Sequence, residues 1–506
     1  MRFANFAFYR NVQSLLFNMM RGLRPSSRRS ARFKLILKGR GWFVLALGIG
    51  AYLLSLPTPE GLTVEGYNVL VMSIVATILF VTEPIPLPAV ALLIIVGQVL
   101  LLGTNSNDVA KSIMSDSVLF IMGSLMLAVA IVKQKLDKRI AYFIVKMTGT
   151  KTANICVGIS VVSGLMASVV GEHTVAAMML PVAITLIRLT SDDPKQVKQL
   201  AAMLLLSIAY GCSVAGISTP SGGARNAIMI GFWQEFYYNP LKPETYKYLV
   251  DYLSWMLYCF PIFLAQLLFT SFILQRTFKP EYKTLSRSVV KLRKLLAEQG
   301  KMDASDYATI VIFLLTLMGW IFYSDDVGLG TIALLGSLCF LVFGLVKWDD
   351  INKNVNWGVI LLYGSAISLG IQMKETGAAT WLANELVSLL SSIGADSGMS
   401  LWLSVSLMTA GVTNTMSNGA AVAMLGPVTL KMGVVSGESP LLMGYITAIS
   451  SSFAYLTVVG TPACTIVYSA GYLKPSDFIK VGWKMLIMST MVLMLFANFY
   501  WPLLGL

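Results

Sequence analysis

The sequence predicts an all-α polytopic membrane protein, and three observations carry that reading. Of 506 residues, 56% are apolar and only 12% charged, against about 25% charged in a soluble domain. Mean hydropathy is +0.72. The apolar residues gather into a long succession of runs of membrane-crossing length. The five cysteines, Cys156, Cys212, Cys259, Cys339 and Cys464, each sit in an apolar stretch without a C-x-x-C pair, which leaves neither a zinc site nor a disulfide framework. A net charge of +13 would suggest nucleic acid in a soluble chain, but here the basic residues lie in a few segments between apolar runs, where they orient a membrane protein.

The first forty residues carry ten Lys/Arg and no acid, then lead into an apolar segment that ends near Pro57. The positive-inside rule makes this arm cytoplasmic. It reads as a solvated orientation signal, with an anionic-lipid or partner site as the alternative, and the late apolar stretch does not resemble a signal peptide. Further apolar runs occupy about 67–83, 87–103, 117–132, 197–216, 251–275, 306–323, 330–346, 356–373, 441–459 and 481–502. Residues 152–190 and 400–434 differ. Each reads as two short apolar arms around a polar tip, Gly171-Glu172-His173-Thr174 and Thr413-Asn414-Thr415-Met416-Ser417-Asn418-Gly419. Arms of ~17 residues are marginal for spanning, and polar tips suit re-entrant hairpins. With the hairpins entering and leaving on one side, segment 276–301, which has eight Lys/Arg, falls inside, and 57–66, 324–329 and 435–440, which have none, fall outside. The C-terminus then also falls outside.

The two halves resemble each other. Glu172 to Pro181 matches Asn418 to Pro427 at a shift of 246 residues, and each hairpin is followed by a span broken at Gly and Pro: Ser218-Thr219-Pro220-Ser221-Gly222-Gly223 and Val459-Gly460-Thr461-Pro462-Ala463. Hairpins on opposite sides give inverted repeats, which bring four broken elements together near the midplane. Helix N-termini there suit an anion, while unwound carbonyls and side-chain oxygens suit a small cation.

These residues resemble the divalent anion/sodium symporter family, carriers of di- and tricarboxylates or sulfate. The likeness covers nearly the whole chain after the basic arm: Thr82-Glu83-Pro84-Ile85-Pro86-Leu87-Pro88, both hairpins, the stretch from Ala209-Tyr210 to Asn226, and Gly460-Thr461-Pro462 near Gly471-Tyr472-Leu473. It implies a homodimer of about eleven transmembrane helices, two re-entrant hairpins and two broken helices, with an elevator-type transport domain moving against a scaffold. On this reading the chain divides into a basic cytoplasmic arm (1–40), N-terminal scaffold helices (41–151), a first transport half (152–250), linker and scaffold helices (251–399), a second transport half (400–478) and a C-terminal helix (479–506). The location implied is a bacterial inner membrane.

By the same resemblance, substrate contacts are expected at Glu172, His173, Thr174, Thr219, Arg225, Asn226, Ser417, Asn418, Gly419, Thr461 and Pro462, and a Na⁺ site in the second half at Thr413, Met416, Asn418, Gly460 and Pro462. The chain departs from the family in three places. The family's Ser-Asn-Thr tip becomes Ser417-Asn418-Gly419 in the second half and Gly171-Glu172-His173 in the first, and Arg225 stands in a family Pro-Pro position. A charge within a membrane domain is costly unless paired or functional. Three readings of Glu172, His173 and Arg225 stay open: an ion pair acting as a fixed positive charge in place of one sodium, a protonation switch, or recognition of a zwitterionic substrate.

The function expected is secondary active transport of a small organic anion, a di- or tricarboxylate, coupled to Na⁺ and/or H⁺ and needing no cofactor. An exchanger, or a carrier of a zwitterionic, sulfonate or inorganic anion, is the alternative. There is no P-loop to supply ATP energy, and one histidine without H-E-x-x-H or a Ser-His pair speaks against an intramembrane enzyme.

Overall fold

The computed structural model describes residues 40–134, 148–286, 289–290 and 302–506. Most of the basic arm, much of the basic segment 276–301 and the stretch after Lys133 lie outside these residues. Among the described residues every regular element is helical.

Helix α1 (Gly41–Leu54) is followed by α2 (Val64–Thr82), whose N-terminus is capped by Thr63 accepting from Gly66 N at 3.0 Å. The chain leaves α2 through Glu83 at φ 42° and restarts after the proline-rich segment as α3 (Leu87–Leu102). Helix α4 (Ser106–Ile113) leads to α5 (Asp116–Lys133). The first hairpin is α6 (Thr152–Val170) and α7 (Glu172–Thr190), joined by Gly171 alone. At φ 93° and ψ 144° that position is closed to side chains, so only glycine makes this one-residue tip.

Helix α8 (Lys198–Ala215) is the core of the molecule, with 89% of its residues buried. Residues 216–223 interrupt it before α9 (Ala224–Tyr237). Helices α10 (Tyr252–Thr277), α11 (Ala304–Val327) and α12 (Leu329–Val342) follow. The backbones of α5 and α12 approach closely where a Cβ on Gly123 would lie 2.5 Å from that of Ala333, and Ser337 Oγ donates to Gly123 O at 3.1 Å. Helix α13 (Trp348–Asn354) meets α14 (Trp357–Glu375) at 64°, and α15 (Ala378–Ser391) is a further helix that the apolar runs did not reveal.

The second hairpin is α16 (Gly398–Thr413) and α17 (Asn418–Val435). The apolar run 441–459 is not one helix: α18 (Pro440–Ser450) ends early, residues 451–461 are non-helical, and α19 (Pro462–Tyr468) and α20 (Pro475–Leu495) complete the fold. The second interruption is therefore longer than its Gly/Pro signal. Asn414 explains why it holds its shape, because Asn414 Nδ2 donates to Phe453 O at 3.1 Å and Leu456 N donates to Asn414 Oδ1 at 2.9 Å. Among the described residues, nine helices are long and apolar enough to cross a membrane, and five shorter apolar ones accompany them. Buried residues run from the hairpins to α8, whereas α11 is only 22% buried and presents Leu315 and Phe322 outward, as a lipid-facing helix does.

Candidate substrate and cation site

Both hairpin tips and both interruptions meet at one place. Glu172, the first residue of α7, receives Arg225 Nη1 of α9 on its Oε1 at 3.4 Å, and both side chains are buried. The guanidinium fits because two glycines leave it room: a Cβ on Gly216 would fall 2.1 Å from Nη2, and one on Gly223 would fall 3.1 Å from Cζ. The same Nη1 reaches Asn418 at the start of α17. With its oxygen toward Arg225, the Asn418 amide accepts from Nη1 at 2.8 Å and donates toward Thr413 Oγ1 at 2.9 Å, Gly460 O at 3.0 Å and Ser451 O at 3.0 Å. The opposite orientation would aim its oxygen at three acceptors, so the hydrogen-bond network fixes the amide. Thr413 Oγ1 in turn donates to Ser451 O at 2.7 Å.

Thr413 Oγ1, Ser451 O and Gly460 O thus form an oxygen cluster around one side of Asn418. Thr413, Asn418 and Gly460 are expected members of the cation site. Ser451 O joins the same cluster, hidden from sequence reasoning because a carbonyl carries no residue signature. Met416 is buried in the tip, but its carbonyl is not among the oxygens around Asn418.

Beside this network lies a cavity of about 220 Å³, lined by Gly171, Glu172 and His173, by Pro220 to Ala224, by Pro462, and by residues of α5 and α14 including Ile121, Ser124 and Tyr363. It is smaller than the ~300–1,000 Å³ of drug-sized pockets, so its occupant is small. The first turns of α7 and α9 open onto it, and Arg225 lies buried behind them. Other expected contacts spend their side chains on structure. Thr219 Oγ1 accepts from Gly222 N at 3.1 Å, and Thr461 Oγ1 caps α19 through Cys464 N at 3.1 Å. Ser417 Oγ accepts from Ala420 N at 3.4 Å. Asn226 Nδ2 donates to Gly216 O and Thr219 O, each at 2.7 Å, holding the first interruption closed. His173 faces the cavity but pairs with Thr174, Nε2 to Oγ1 at 3.2 Å, and does not join the Glu172 and Arg225 pair. Gly419 packs under the ring of Tyr363. Tyr363 lies far from either tip in the chain, and no local signal marks it.

The first hairpin tip and both interruptions line one small cavity inside an apolar helical body, and the second tip joins them through Asn418, the arrangement of a membrane carrier. Among the described residues there is no group of three or more His, Cys, Asp or Glu able to hold a catalytic metal. The sodium:sulfate symporter transmembrane region matches residues 41–506, and the chain belongs to that family: it is an integral membrane secondary transporter and not an enzyme. It is similar to the sodium-dependent dicarboxylate transporter SdcS of Staphylococcus saprophyticus, 27% identical over 474 residues that cover 88% of each chain. The SdcS of Staphylococcus aureus USA300 is 26% identical over 490 residues, 91% of each chain. Among solved structures, Neisseria gonorrhoeae MtrF, described with a class of antimetabolite efflux pumps, shares the fold at a TM-score of 0.54 and 11% identity, covering 92% of this chain and 94% of its own.

Proposed function

We propose that this chain carries a small organic dianion, a short dicarboxylate, in symport with Na⁺. The observation that carries the reading is the cavity between the first turns of α7 and α9, with a buried guanidinium behind it. Unpaired N–H groups at helix starts favour anionic oxygens. The Glu172 carboxylate at the rim is offset by Arg225, so it does not cancel that preference. Likeness to two sodium-dependent dicarboxylate transporters supports the substrate class and the ion. On this reading Na⁺ binds at Thr413 Oγ1, Ser451 O and Gly460 O, with Asn418 turning its amide oxygen toward the ion, and the gathering of these oxygens around Asn418 supports it.

On this reading the Glu172 and Arg225 pair is electrically neutral as a unit and locks the first hairpin tip to the start of α9, with the guanidinium standing as a fixed cation in the first-half site. The hairpins and interrupted helices move together as an elevator, the chain pairs as a homodimer, and it sits in a bacterial plasma membrane with the N-terminus inside and the C-terminus outside. The basic segments inside and the bare segments outside support that orientation.

The test is uptake of a labelled four-carbon dicarboxylate into liposomes holding the purified protein. An inward Na⁺ gradient should drive accumulation without ATP, and replacing Na⁺ with K⁺ should abolish it. Inactivity toward carboxylates, sulfate and amino acids in a folded preparation would overturn the reading.

A further inference from the structure

Tyr363 lies on α14, outside the hairpins and interrupted helices, yet it lines the cavity with Glu172 and His173. Its ring covers the start of α17. A Cβ on Gly419 would lie 2.3 Å from Tyr363 Cε1 and 2.8 Å from its hydroxyl oxygen. The bare glycine and the ring are therefore matched: the tyrosine occupies the space that any other residue at this tip would need. Its hydroxyl forms no hydrogen bond among the described residues, whereas the Tyr252 hydroxyl is engaged at 2.8 Å by Ser221, which lines the same cavity.

We propose that Tyr363 is a ligand of the transported anion, its phenolic O–H donating to a carboxylate oxygen at the tip where Gly419 brings no side chain. The proposal rests on the reading of this cavity as the anion site. A hydroxyl suits the position because O–H donors bond most strongly to charged acceptors, while a neutral group adds no further charge beside Glu172. It also sets specificity: the hydroxyl favours an acid over its amide at that end of the substrate, since the amide offers no anionic acceptor.

Tyr363→Phe keeps the ring over Gly419 and removes only the hydroxyl. Its KM for a dicarboxylate should rise about ten- to hundredfold, the loss of one charge-assisted hydrogen bond, with the maximal rate little changed. Melting temperature without substrate should match that of the unmodified protein, while the rise on adding dicarboxylate should shrink. The penalty should shrink to a fewfold change for the half-amide of the same acid, because its carbonyl accepts only a neutral hydrogen bond from the phenol. An unchanged KM, or an equal loss across dicarboxylate and half-amide, would overturn the role of Tyr363 while leaving the anion carrier standing. Absence of any carboxylate uptake by the unmodified protein would remove both readings together.

Discussion

Arg225 Nη1 donates to Asn418 Oδ1 at 2.8 Å and to Glu172 Oε1 at 3.4 Å, so one nitrogen ties the first interruption to both hairpin tips. The site is held by this bridge more than by its apolar surroundings, because each partner is buried and water cannot replace a lost bond.

Removing one partner of the pair should therefore do more harm than removing both. Arg225→Met strands a buried carboxylate and should cost about 3–5 kcal/mol of stability, whereas Arg225→Met with Glu172→Gln should recover much of it. Melting curves of the two singles and the double in detergent give the coupling. Additive losses would show that the pair is not the lock, and proton-driven uptake lost in Glu172→Gln alone would instead favour a protonation switch.

Thr413→Val keeps the shape and removes one oxygen of the cluster. The Na⁺ concentration giving half-maximal thermal stabilisation should rise about tenfold, equivalent to ~1.4 kcal/mol, while the melting temperature without Na⁺ should fall only modestly. An unchanged Na⁺ response would place the cation elsewhere.

Gly216→Ala puts a Cβ 2.1 Å from Arg225 Nη2. Overpacking of this kind costs about 1–3 kcal/mol, and relief is expected when the Arg225→Met and Glu172→Gln pair shortens the side chain. Folded yield after size-exclusion chromatography checks the order of the three variants.

At the surface, Lys133 Nζ bonds to Asp350, and that bond, together with the Lys347 backbone N–H, holds the carboxyl of Asp350 below its ordinary range. A carboxylate lowered on folding stabilises above its unfolded pKa and loses that contribution as pH falls through the folded value. Asp350→Asn should therefore flatten the acid limb of a stability profile below about pH 5, leaving the neutral limb little altered. The effect should be small, since both groups are solvent-exposed and screened.

Much of the fold was legible because membrane helices advertise themselves by length and the interruptions by Gly and Pro. The 246-residue repeat also led to Glu172 and Asn418, and the departure from the family's Pro-Pro position led to Arg225, because a charge in an apolar stretch needs a partner. What escaped was long-range or chemically silent. Ser451 acts through its carbonyl, Tyr363 reads as an ordinary aromatic of α14, and the non-helical stretch 451–461 is as apolar as a helix. It stays open because Asn414, nearly forty residues earlier, bonds to its backbone. Thr219, Ser417 and Thr461 looked like ligands by type, but each caps a backbone turn beside the cavity.

Glu172 and Asn418 hold the same register in the two repeats and meet on one nitrogen, Arg225 Nη1, at 3.4 Å from the carboxylate and 2.8 Å from the amide oxygen. Two glutamates facing each other there would repel with little solvent to screen them, so acid in one copy obliges amide in the other. At this register the two halves are matched to each other through Arg225. A chimera that takes one half from a relative transplants half of a handshake, and its defects should not add up from those of its parents.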